Sequence, residues 1–242
     1  MIPIIIVSFN NYKYVDNTIQ QLRKVNEEYL ASIYIMDNCS TCEETVEYLK
    51  NSPCKVIYNK ENKGPWVNSD INSHIYNQMP DEFILTDADL QLHPNLPKNF
   101  VEILSELSNQ YKCFKIGFAL DISDYDKMFQ GPSNVYCIGD KIATIYEWEI
   151  QFWNNKIEDE RYELYRAEID TTFCLVNKKY GDSRNLIRIA GDFVAKHLPW
   201  YVDNPILTDH ELYTLYKRGS TISTTAKIVL PFLENKYGNS LL

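Results

Sequence analysis

Two aspartates separated by one residue, Asp87 and Asp89, directly follow the apolar run 83–85. Two carboxylates at the end of a strand can both reach one hard divalent cation, the class that prefers oxygen ligands. A cation held by only one or two protein carboxylates usually completes its coordination with substrate phosphates and water. The pair therefore predicts a metal-assisted phosphate site, and a solvated turn before Pro94 is the alternative.

The Asp-x-Asp (DxD) tripeptide by itself has little weight. With 16 aspartates among 242 residues, random placement gives about one such tripeptide, and the chain has a second in Asp124-Tyr125-Asp126. No apolar run ends at that second pair. The position of Asp87 and Asp89 after a predicted strand, at an edge where ligands bind, is what indicates a ligand site.

The charge balance agrees with such a site. The chain has 24 Lys and Arg against 33 Asp and Glu, a formal net charge of −9. An acidic protein matches nucleic-acid phosphates and anionic membranes poorly, so no nucleic-acid partner is expected. A polyanionic ligand would need a cation or a local positive element. The sequence contains neither GxxxxGKS/T nor GxGxxG, which argues against a P-loop ATPase and a dinucleotide oxidoreductase.

The cysteines and the amino-terminal segment bear on the cellular compartment. Only Cys39 and Cys42 form a CxxC among the six cysteines, and no second pair completes a zinc site. Reduced thiols are expected, with a redox pair at these two positions as the alternative. Residues 1–7 lack the features of a signal peptide, and no apolar run approaches the ~18 residues of a membrane span. A cytoplasmic protein without a membrane span is therefore expected.

Strands and helices alternate over the first 110 residues. Strands are predicted at residues 2–7, 33–36, 55–58 and 83–85. Helices are predicted around residues 15–22 and at 41–50, 66–76 and 97–107. This alternation predicts an α/β fold with a parallel sheet and right-handed crossovers. In such sheets ligands bind beyond the carboxyl ends of the strands, where both aspartates lie.

The alternation weakens after residue 110. Strands are predicted at residues 113–120 and 171–176, and helices at 142–153 and 207–216. Residues 195–204 are expected to form a loop, and the tail from Ser220 is expected to be irregular. The simplest organisation is one domain over residues 1–242, with a nucleotide-binding first half (1–110) and a substrate-shaping second half (111–242).

Four segments of the first half occur in a characteristic order. They are residues 4–10, residues 34–40 with Asp37-Asn38-Cys39-Ser40, residues 59–64 with Asn62-Lys63-Gly64, and residues 83–89 with the DxD. Together they resemble the GT-A glycosyltransferases, specifically inverting family-2-like enzymes with a nucleotide-sugar donor. Residues 168–173 and 195–201 resemble a narrower subset, the bacterial surface-glycan and large-virus capsid-glycan enzymes. The resemblance implies a Rossmann-like GT-A fold with a mostly parallel central sheet flanked by helices.

The resemblance also implies a donor pocket. Asp37 is expected to meet the uridine of a UDP-sugar, with a helix cap as the alternative role. Trp66 is expected to pack on the donor or in the core. The residues that the resemblance assigns to the nucleotide-sugar are Ser8, Phe9, Asn10, Asp37, Asn62, Lys63, Gly64, Trp66 and Asp87.

For the metal, the resemblance implies that Asp89 is a direct ligand. Asp87 is expected to bind the ribose, or the metal through water, and His197 is a candidate third ligand. A nitrogen ligand beside carboxylates shifts the preference from Mg²⁺ towards Mn²⁺, so Mn²⁺ (or Mg²⁺) is the expected cofactor. A structural role is the alternative for His197.

An inverting transfer needs a general base for the acceptor hydroxyl. Asp170, which precedes a predicted strand, is the first candidate, and Glu168 and Asp209 are alternatives. Many family-2 enzymes carry a Glu-Asp pair before a helix as the base motif, and no such pair precedes a predicted helix in this sequence. Trp148, Glu149, Trp200 and Tyr201 are candidates for acceptor binding, since aromatic faces match the C–H face of a pyranose; core packing is the alternative.

The function implied is a metal-dependent inverting glycosyltransferase. It would move a hexosyl or deoxyhexosyl group from a UDP-sugar to a hydroxyl of a glycan or glycoconjugate. Two alternatives stay open: a sugar-nucleotide nucleotidyltransferase, and a catalytically inactive UDP- or glycan-binding module of the same fold. The first loop, Ser8-Phe9-Asn10-Asn11, is neither glycine-rich nor basic, whereas a nucleotidyltransferase loop usually is both.

Overall fold

The computed structural model describes residues 1–130, 136–181, 185–218 and 224–237. Its helices are α1 (Tyr12–Val25), α2 (Glu43–Lys50), α3 (Ser73–Gln78), α4 (Phe100–Tyr111), α5 (Ile145–Ile150), α6 (Asp209–Arg218) and α7 (Thr224–Tyr237). Its strands are β1 (Ile4–Ser8), β2 (Ile33–Asp37), β3 (Lys55–Tyr58), β4 (Glu82–Asp87), β5 (Leu90–Leu92), β6 (Lys115–Phe118), β7 (Cys137–Ile138), β8 (Lys141–Ile142), β9 (Lys156–Ile157), β10 (Leu164–Arg166), β11 (Cys174–Asn177), β12 (Leu186–Ile189) and β13 (Ala195–His197). Across these described ranges, no helix is both long enough and apolar enough to span a membrane.

The main sheet draws strands from both halves of the chain. Within the described residues it has nine strands in the order β3-β2-β1-β4-β11-β6-β12-β10-β9. The strands β3, β2, β1 and β4 are mutually parallel, and β12 is parallel to β6. Only β11 and β10 run against the others, since both pair antiparallel with their neighbours. The expected α/β fold with a mostly parallel sheet is confirmed.

Helices cover both faces of this sheet. Every residue of β1 is buried, as a continuous apolar run predicts for a strand covered on both sides. Successive side chains of a strand point to opposite faces. Ile4 and Ile6 accordingly pack in the cluster that includes Val15 of α1, while Ile5 packs in a second cluster with Ile75 of α3.

The strand register brings the expected strand-end residues to one edge. Ser8 of β1 pairs with Asp37 of β2, and Val7 pairs with Asp87 of β4. A separate two-stranded sheet pairs β13 with β5, opposing His197 to Leu90. The segment 195–201 therefore lies beside the DxD, although it is more than 100 residues away in the chain.

Two predictions are wrong, one in the first half of the chain and one at its end. The helix predicted at 66–76 is confined to α3, because Asn68 accepts hydrogen bonds from the N–H groups of Asp70 and Ile71 and Asn72 is left-handed, with φ 52°. The tail was expected to be irregular, but α7 occupies residues 224–237 with Val229 and Leu233 in the core. Residues 220–223 and 238–242 of that tail lie outside the described residues.

Three boundaries in the second half also differ. The strand predicted at 171–176 begins only at Cys174, since Thr171 bonds to Asp87 instead. The helix predicted at 142–153 begins at Ile145, because Thr144 and Glu147 form a reciprocal capping box. The expected loop 195–204 contains β13.

Candidate active site

The ends of β1 and β2 are fastened together by side chains. The Asp37 carboxylate accepts hydrogen bonds from the Ser40 hydroxyl (2.5 Å) and the Ser40 N–H (3.2 Å), and Ser40 Oγ accepts the Asn10 N–H at 2.9 Å. Asn10 Oδ1 in turn accepts the N–H groups of Thr41 (2.7 Å) and Cys42 (2.8 Å). Asn10 therefore holds the turn that precedes α2 against the segment that follows β1. Its φ of 55° is a left-handed conformation that asparagine tolerates better than most residues.

Ser8 and Phe9 contribute differently to this corner. Ser8 is fully buried and its hydroxyl donates to Asn11 Oδ1 at 3.2 Å, so its side chain presents no surface to a ligand. Phe9 is half-buried, and its N–H donates to the same oxygen at 3.0 Å. At the end of β1, Phe9 therefore has accessible surface and the Ser8 hydroxyl has none.

A cleft of about 420 Å³ opens next to this corner, between the strand ends and α6. Its lining residues are Asn10, Asn11, Tyr12, Lys13, Thr41, Cys42, Glu44, Leu207, His210, Glu211, Thr214 and Leu215. Neither Asp87 nor Asp89 lines it. The cleft therefore lies beside α1 and α2 and is separate from the DxD corner.

A chain of buried asparagines fixes the segment after β3. Asn59 donates its side-chain amide to Asn38 Oδ1 (2.9 Å) and to Asn72 Oδ1 (3.0 Å). Asn38 and Asn72 then both donate to the carbonyl of Gly64, at 2.9 and 3.2 Å. Asn72 also donates to the carbonyl of Trp66 at 2.8 Å. Because buried amides need partners, the three asparagines hold the 64–66 backbone in one place.

Gly64 and Trp66 are packed against each other. Gly64 has φ +83°, and a Cβ there would lie 3.0 Å from Trp66 Cζ3. Asn62 Oδ1 accepts the Gly64 N–H at 2.9 Å, which closes the turn. Lys63 is exposed at the same turn and pairs with Glu61 at 3.2 Å. Glycine is required here both for its backbone conformation and for the approach of the indole ring.

The first aspartate of the DxD is tied to the 170–172 segment. Asp87 Oδ2 accepts the Thr171 hydroxyl at 2.8 Å, and the Asp87 N–H donates to the Thr171 carbonyl at 3.0 Å. Burial raises the pKa of Asp87, and the neighbouring carboxylates of Asp89 and Asp170 raise it further. The Thr171 hydroxyl opposes this shift by stabilising the carboxylate.

The second aspartate faces the histidine of β13. Asp89 Oδ1 lies 3.5 Å from His197 Nε2, and the Asp89 carbonyl accepts the Leu198 N–H at 2.9 Å. Burial raises the pKa of Asp89 and lowers the pKa of His197 to about 4, so the imidazole is neutral at pH 7. Trp200 packs beneath His197, with ring centroids 4.7 Å apart.

These residues fit a divalent cation. Asp89 Oδ1 and His197 Nδ1 are buried, and no described residue gives either atom a hydrogen bond. A buried carboxylate oxygen without a partner is costly, and a cation would satisfy it. In the described parts of the chain, no three His, Cys, Asp or Glu side chains converge as a metal-binding group, so Asp87, Asp89 and His197 do not form a closed three-ligand site. A cation here would take further ligands from a substrate phosphate and water.

The three candidate bases have different surroundings. Asp170 is exposed, next to Thr171, and its Oδ1 accepts the Trp66 indole N–H at 2.5 Å. Glu168 is exposed, and its carbonyl accepts from Arg188 at 2.7 Å. Asp209 is hydrogen-bonded to Lys236 (2.9 Å) and to Tyr237 of α7. Asp170 is thus joined to the DxD through Thr171, whereas Asp209 is engaged with the end of α7.

Glu149 was expected to contact the acceptor, but it is buried and cannot do so. It is 2% exposed and forms a buried ion pair with Arg188, whose guanidinium lies 4.2 Å from the Phe152 ring. Trp148 is half-buried and stacks on Tyr136, with ring centroids 5.0 Å apart and planes 12° apart. Of these two expected acceptor contacts, only Trp148 has surface to offer.

Trp200 and Tyr201 are buried as well, so they too depart from the acceptor expectation. The Tyr201 hydroxyl donates to Asp124 Oδ1 at 2.9 Å. Asp124 also pairs with Lys196, and the two hydrogen bonds lower the pKa of Asp124 despite its partial burial. The second Asp-x-Asp is therefore part of a packed polar cluster, and Trp200 supports His197 from below.

Sequence patterns gave no role to Asn72, Thr171 or Arg188. Asn72 and Arg188 lie 13 and 39 residues from the side chains they bind, Asn59 and Glu149. Thr171 lies within a segment that the resemblance covers, but its hydroxyl contact with Asp87 spans 84 residues. Only the folded arrangement reveals these partners, since no spacing rule applies over such separations.

The sheet, its helices and the carboxylates at its carboxyl edge define a GT-A, Rossmann-like fold. The model of the family described as glycosyl transferase family 2 matches residues 4–173, more than two-thirds of the chain. The chain therefore belongs to glycosyl transferase family 2. No curated protein is similar enough in sequence to count as a match.

Two solved structures are similar to this chain at low sequence identity. The mannosyltransferase PcManGT from Pyrobaculum calidifontis, in complex with GDP-Man and Mn²⁺, is 9% identical with a TM-score of 0.46; the match covers 98% of this chain and 70% of that chain. TarS 1–349 of S. aureus, in complex with UDP, is 9% identical with a TM-score of 0.40, over 99% of this chain and 72% of that chain. The family assignment depends on the sequence match and not on these likenesses.

Proposed function

We propose that this protein is a metal-dependent, inverting glycosyltransferase. It transfers a hexosyl or deoxyhexosyl group from a UDP-sugar to a hydroxyl of a glycan or glycoconjugate. The observation that carries the proposal is the buried, unpartnered oxygen of Asp89, two residues from Asp87, at the carboxyl edge of the sheet in a family 2 chain. An acidic protein needs a cation or a local positive element to hold an anionic donor, and this site would supply the cation.

The cation would be held by Asp89 with His197, and Asp87 would contact it through water or bind the ribose. A neutral imidazole can ligate a metal, and the lowered pKa of His197 keeps it neutral at pH 7. When bound, the cation offsets the negative charge that grows on the departing diphosphate. The carboxylate and imidazole donors together favour Mn²⁺ over Mg²⁺.

The nucleotide would lie along the ends of β1, β2 and β3. Phe9 and Asp37 would meet the uridine, a role inferred from the resemblance of residues 4–10 and 34–40 to family-2 donor pockets. The turn at Asn62, Lys63 and Gly64 would form the floor. Its position is fixed from behind by the buried asparagine chain, so the floor is preorganised before the donor arrives.

Asp170 would act as the general base. Its carboxylate takes the proton of the acceptor hydroxyl while that oxygen bonds to the anomeric carbon of the donor. The bond from the anomeric carbon to the diphosphate oxygen breaks on the opposite face, and the diphosphate leaves with the electron pair. Configuration at the anomeric carbon is inverted. Asp170 is exposed and linked through Thr171 to Asp87, which supports this role.

The acceptor would approach from the side of α5. Trp148 is the candidate acceptor contact that retains an accessible ring, stacked on Tyr136. An aromatic face of this kind suits the C–H face of a pyranose. Donor and acceptor halves share one sheet, which favours a single domain over residues 1–242.

Titration calorimetry of UDP binding tests the proposal. UDP should bind in the presence of Mn²⁺, and binding should be lost with EDTA and in Asp89→Ala. Asp126→Ala is the matched control, because Asp126 is an exposed residue of the second Asp-x-Asp. Absence of UDP binding with Mn²⁺ would overturn the proposal.

A panel of UDP-sugars assayed for metal-dependent UDP release separates the alternatives. Release or transfer supports the glycosyltransferase. Pyrophosphate formed from UTP and a sugar phosphate would indicate a nucleotidyltransferase instead. UDP binding without release or transfer from any donor would indicate an inactive binding module.

A further inference from the structure

Trp66 makes a contact that neither donor stacking nor core packing explains. Its indole N–H donates to Asp170 Oδ1 at 2.5 Å, across 104 residues of sequence. Its side chain remains 36% exposed, so burial alone does not account for its position. A tryptophan N–H has a single donor and no acceptor capacity, so this bond uses its whole hydrogen-bonding potential.

The indole is held rigidly on its own side. The ring lies against Gly64, where a Cβ would approach Cζ3 to 3.0 Å. The Trp66 carbonyl is fixed by Asn72 at 2.8 Å, and Asn72 is itself held by Asn59. The backbone of Trp66 and its ring are therefore both restrained, by Asn72 and by Gly64, although the residue is 36% exposed.

The backbone of Asp170 is held by neighbouring residues, whereas its carboxylate has the Trp66 indole as its partner among the described residues. Lys115 Nζ donates to the Asp170 carbonyl at 3.0 Å, and Thr171 anchors the next residue to Asp87. Within the described residues, the indole of Trp66 is the partner of its carboxylate. An exposed carboxylate without such a bond would sample several rotamers.

We propose that Trp66 is the positioning residue of Asp170. The indole N–H occupies Oδ1 and locks the carboxylate rotamer, so that Oδ2 is presented to the acceptor hydroxyl. This inference rests on the proposed function, in which Asp170 is the base. A base whose side chain is oriented by a third group is a recurring arrangement in catalytic sites.

Trp66→Phe tests the inference, because phenylalanine keeps a ring against Gly64 and removes the N–H. The expected result is a fall in kcat of about tenfold or more, the scale of a hydrogen bond to a charged group, with the donor KM and the UDP affinity unchanged. A merely structural role would raise the donor KM as well. Trp153→Phe is the matched control: its indole Nε1 is buried and has no hydrogen-bond partner in the described residues.

A second measurement tests the contact without any activity. In ¹⁵N-labelled protein, the indole N–H resonance that disappears in Trp66→Phe should shift in Asp170→Ala, while the Trp153 resonance should not. If the wild type transfers sugar and Trp66→Phe retains its kcat, the inference fails while the proposed function stands. If the wild type does not bind UDP, the proposed function fails and the base role with it. If the chemical shift of the Trp66 indole N–H is unchanged in Asp170→Ala, the inference is overturned in either case.

Discussion

Thr171 and Asp87 are joined by two hydrogen bonds, one from the Thr171 hydroxyl to Asp87 Oδ2 at 2.8 Å and one from the Asp87 N–H to the Thr171 carbonyl at 3.0 Å. The contact links the Asp-x-Asp corner in the first half of the chain to the segment of the proposed base, Asp170, in the second. Because Asp170 directly precedes Thr171, the same contact sets how far the candidate base lies from the candidate cation. In the proposed function, this one threonine would therefore set the position of the base relative to the donor.

Replacing Thr171 by valine should weaken Mn²⁺-dependent UDP binding by about tenfold, the scale of one hydrogen bond to a charged group. The hydroxyl lowers the pKa of Asp87, so its loss favours the protonated acid, which is a poor ligand. Calorimetry with and without Mn²⁺ measures the effect. Thr172→Val is the control, as it makes the same change at the adjacent buried threonine. Equal losses in both variants would contradict a specific role for Thr171.

Mn²⁺ affinity should fall as the pH is lowered from 8 to 6. Burial raises the pKa of both Asp87 and Asp89, so protons compete with the cation at a higher pH than for ordinary aspartates. His197 does not cause this loss, because its pKa is lowered to about 4 and the imidazole stays neutral across the range. Mn²⁺ titration of the UDP-saturated protein measures it, after subtraction of Mn²⁺ binding to free UDP at each pH. An affinity that is flat from pH 8 to 6 would refute the assignment.

The strand ends could be predicted from sequence, and the contacts between them could not. The run 2–7 and Asp87 stand out because a buried strand followed by a polar residue is a local pattern. The role of Asn72 can be recognised only in the folded structure, because it depends on a left-handed backbone conformation and on hydrogen-bond partners in other segments. The helix α7 was missed because Pro231 and a weak apolar pattern argue against a helix, while packing of Val229 stabilises it.

Asn72→Ala should destabilise the protein by about 2 kcal/mol or more and weaken UDP binding. The substitution strips the Gly64 and Trp66 carbonyls of a buried donor, and alanine is strained in the left-handed region. Urea unfolding measures the free energy of unfolding. Asn72→Gly separates the two causes, because glycine accepts that backbone conformation but makes no side-chain bonds. Full recovery of stability and UDP affinity in Asn72→Gly would mean that the hydrogen bonds contribute nothing.

Asp170→Asn should reduce kcat for transfer by a factor of about 100 or more, the usual contribution of a general base. Asp209→Asn should leave kcat nearly unchanged, because that carboxylate is engaged with Lys236 and Tyr237. Glu168→Gln should have only a small effect, since the Glu168 contact with Arg188 is made by its backbone carbonyl. Steady-state UDP release in the presence of acceptor measures all three variants. A larger loss at Glu168 or Asp209 would move the base assignment to that residue.

Removing one partner of the buried ion pair between Arg188 and Glu149 should lower the free energy of unfolding by several kcal/mol. Arg188 binds the Glu149 carboxylate and the Glu168 carbonyl, so Arg188→Met leaves a buried carboxylate without its counter-ion. Breaking a buried pair in this way typically costs about 3–5 kcal/mol. The loss of the Glu168 contact should also loosen the segment that leads to Asp170, which a fall in kcat would report.

The cost of Arg188→Met should grow with pH. Burial already raises the pKa of Glu149 to about 7 with Arg188 present, and without the guanidinium it must rise further. The folded variant therefore keeps its proton at a pH where the wild type has lost it, so the variant loses more stability than the wild type as the pH rises. Urea unfolding at pH 6 and pH 8 measures this difference. Arg161→Met is the control, since Arg161 makes an exposed pair with Glu106 and should give a small change that is alike at both pH values. If Arg188→Met changed the free energy of unfolding as little as that control at both pH values, the buried pair would not contribute to stability. The apolar contacts of α5 alone would then hold it in place.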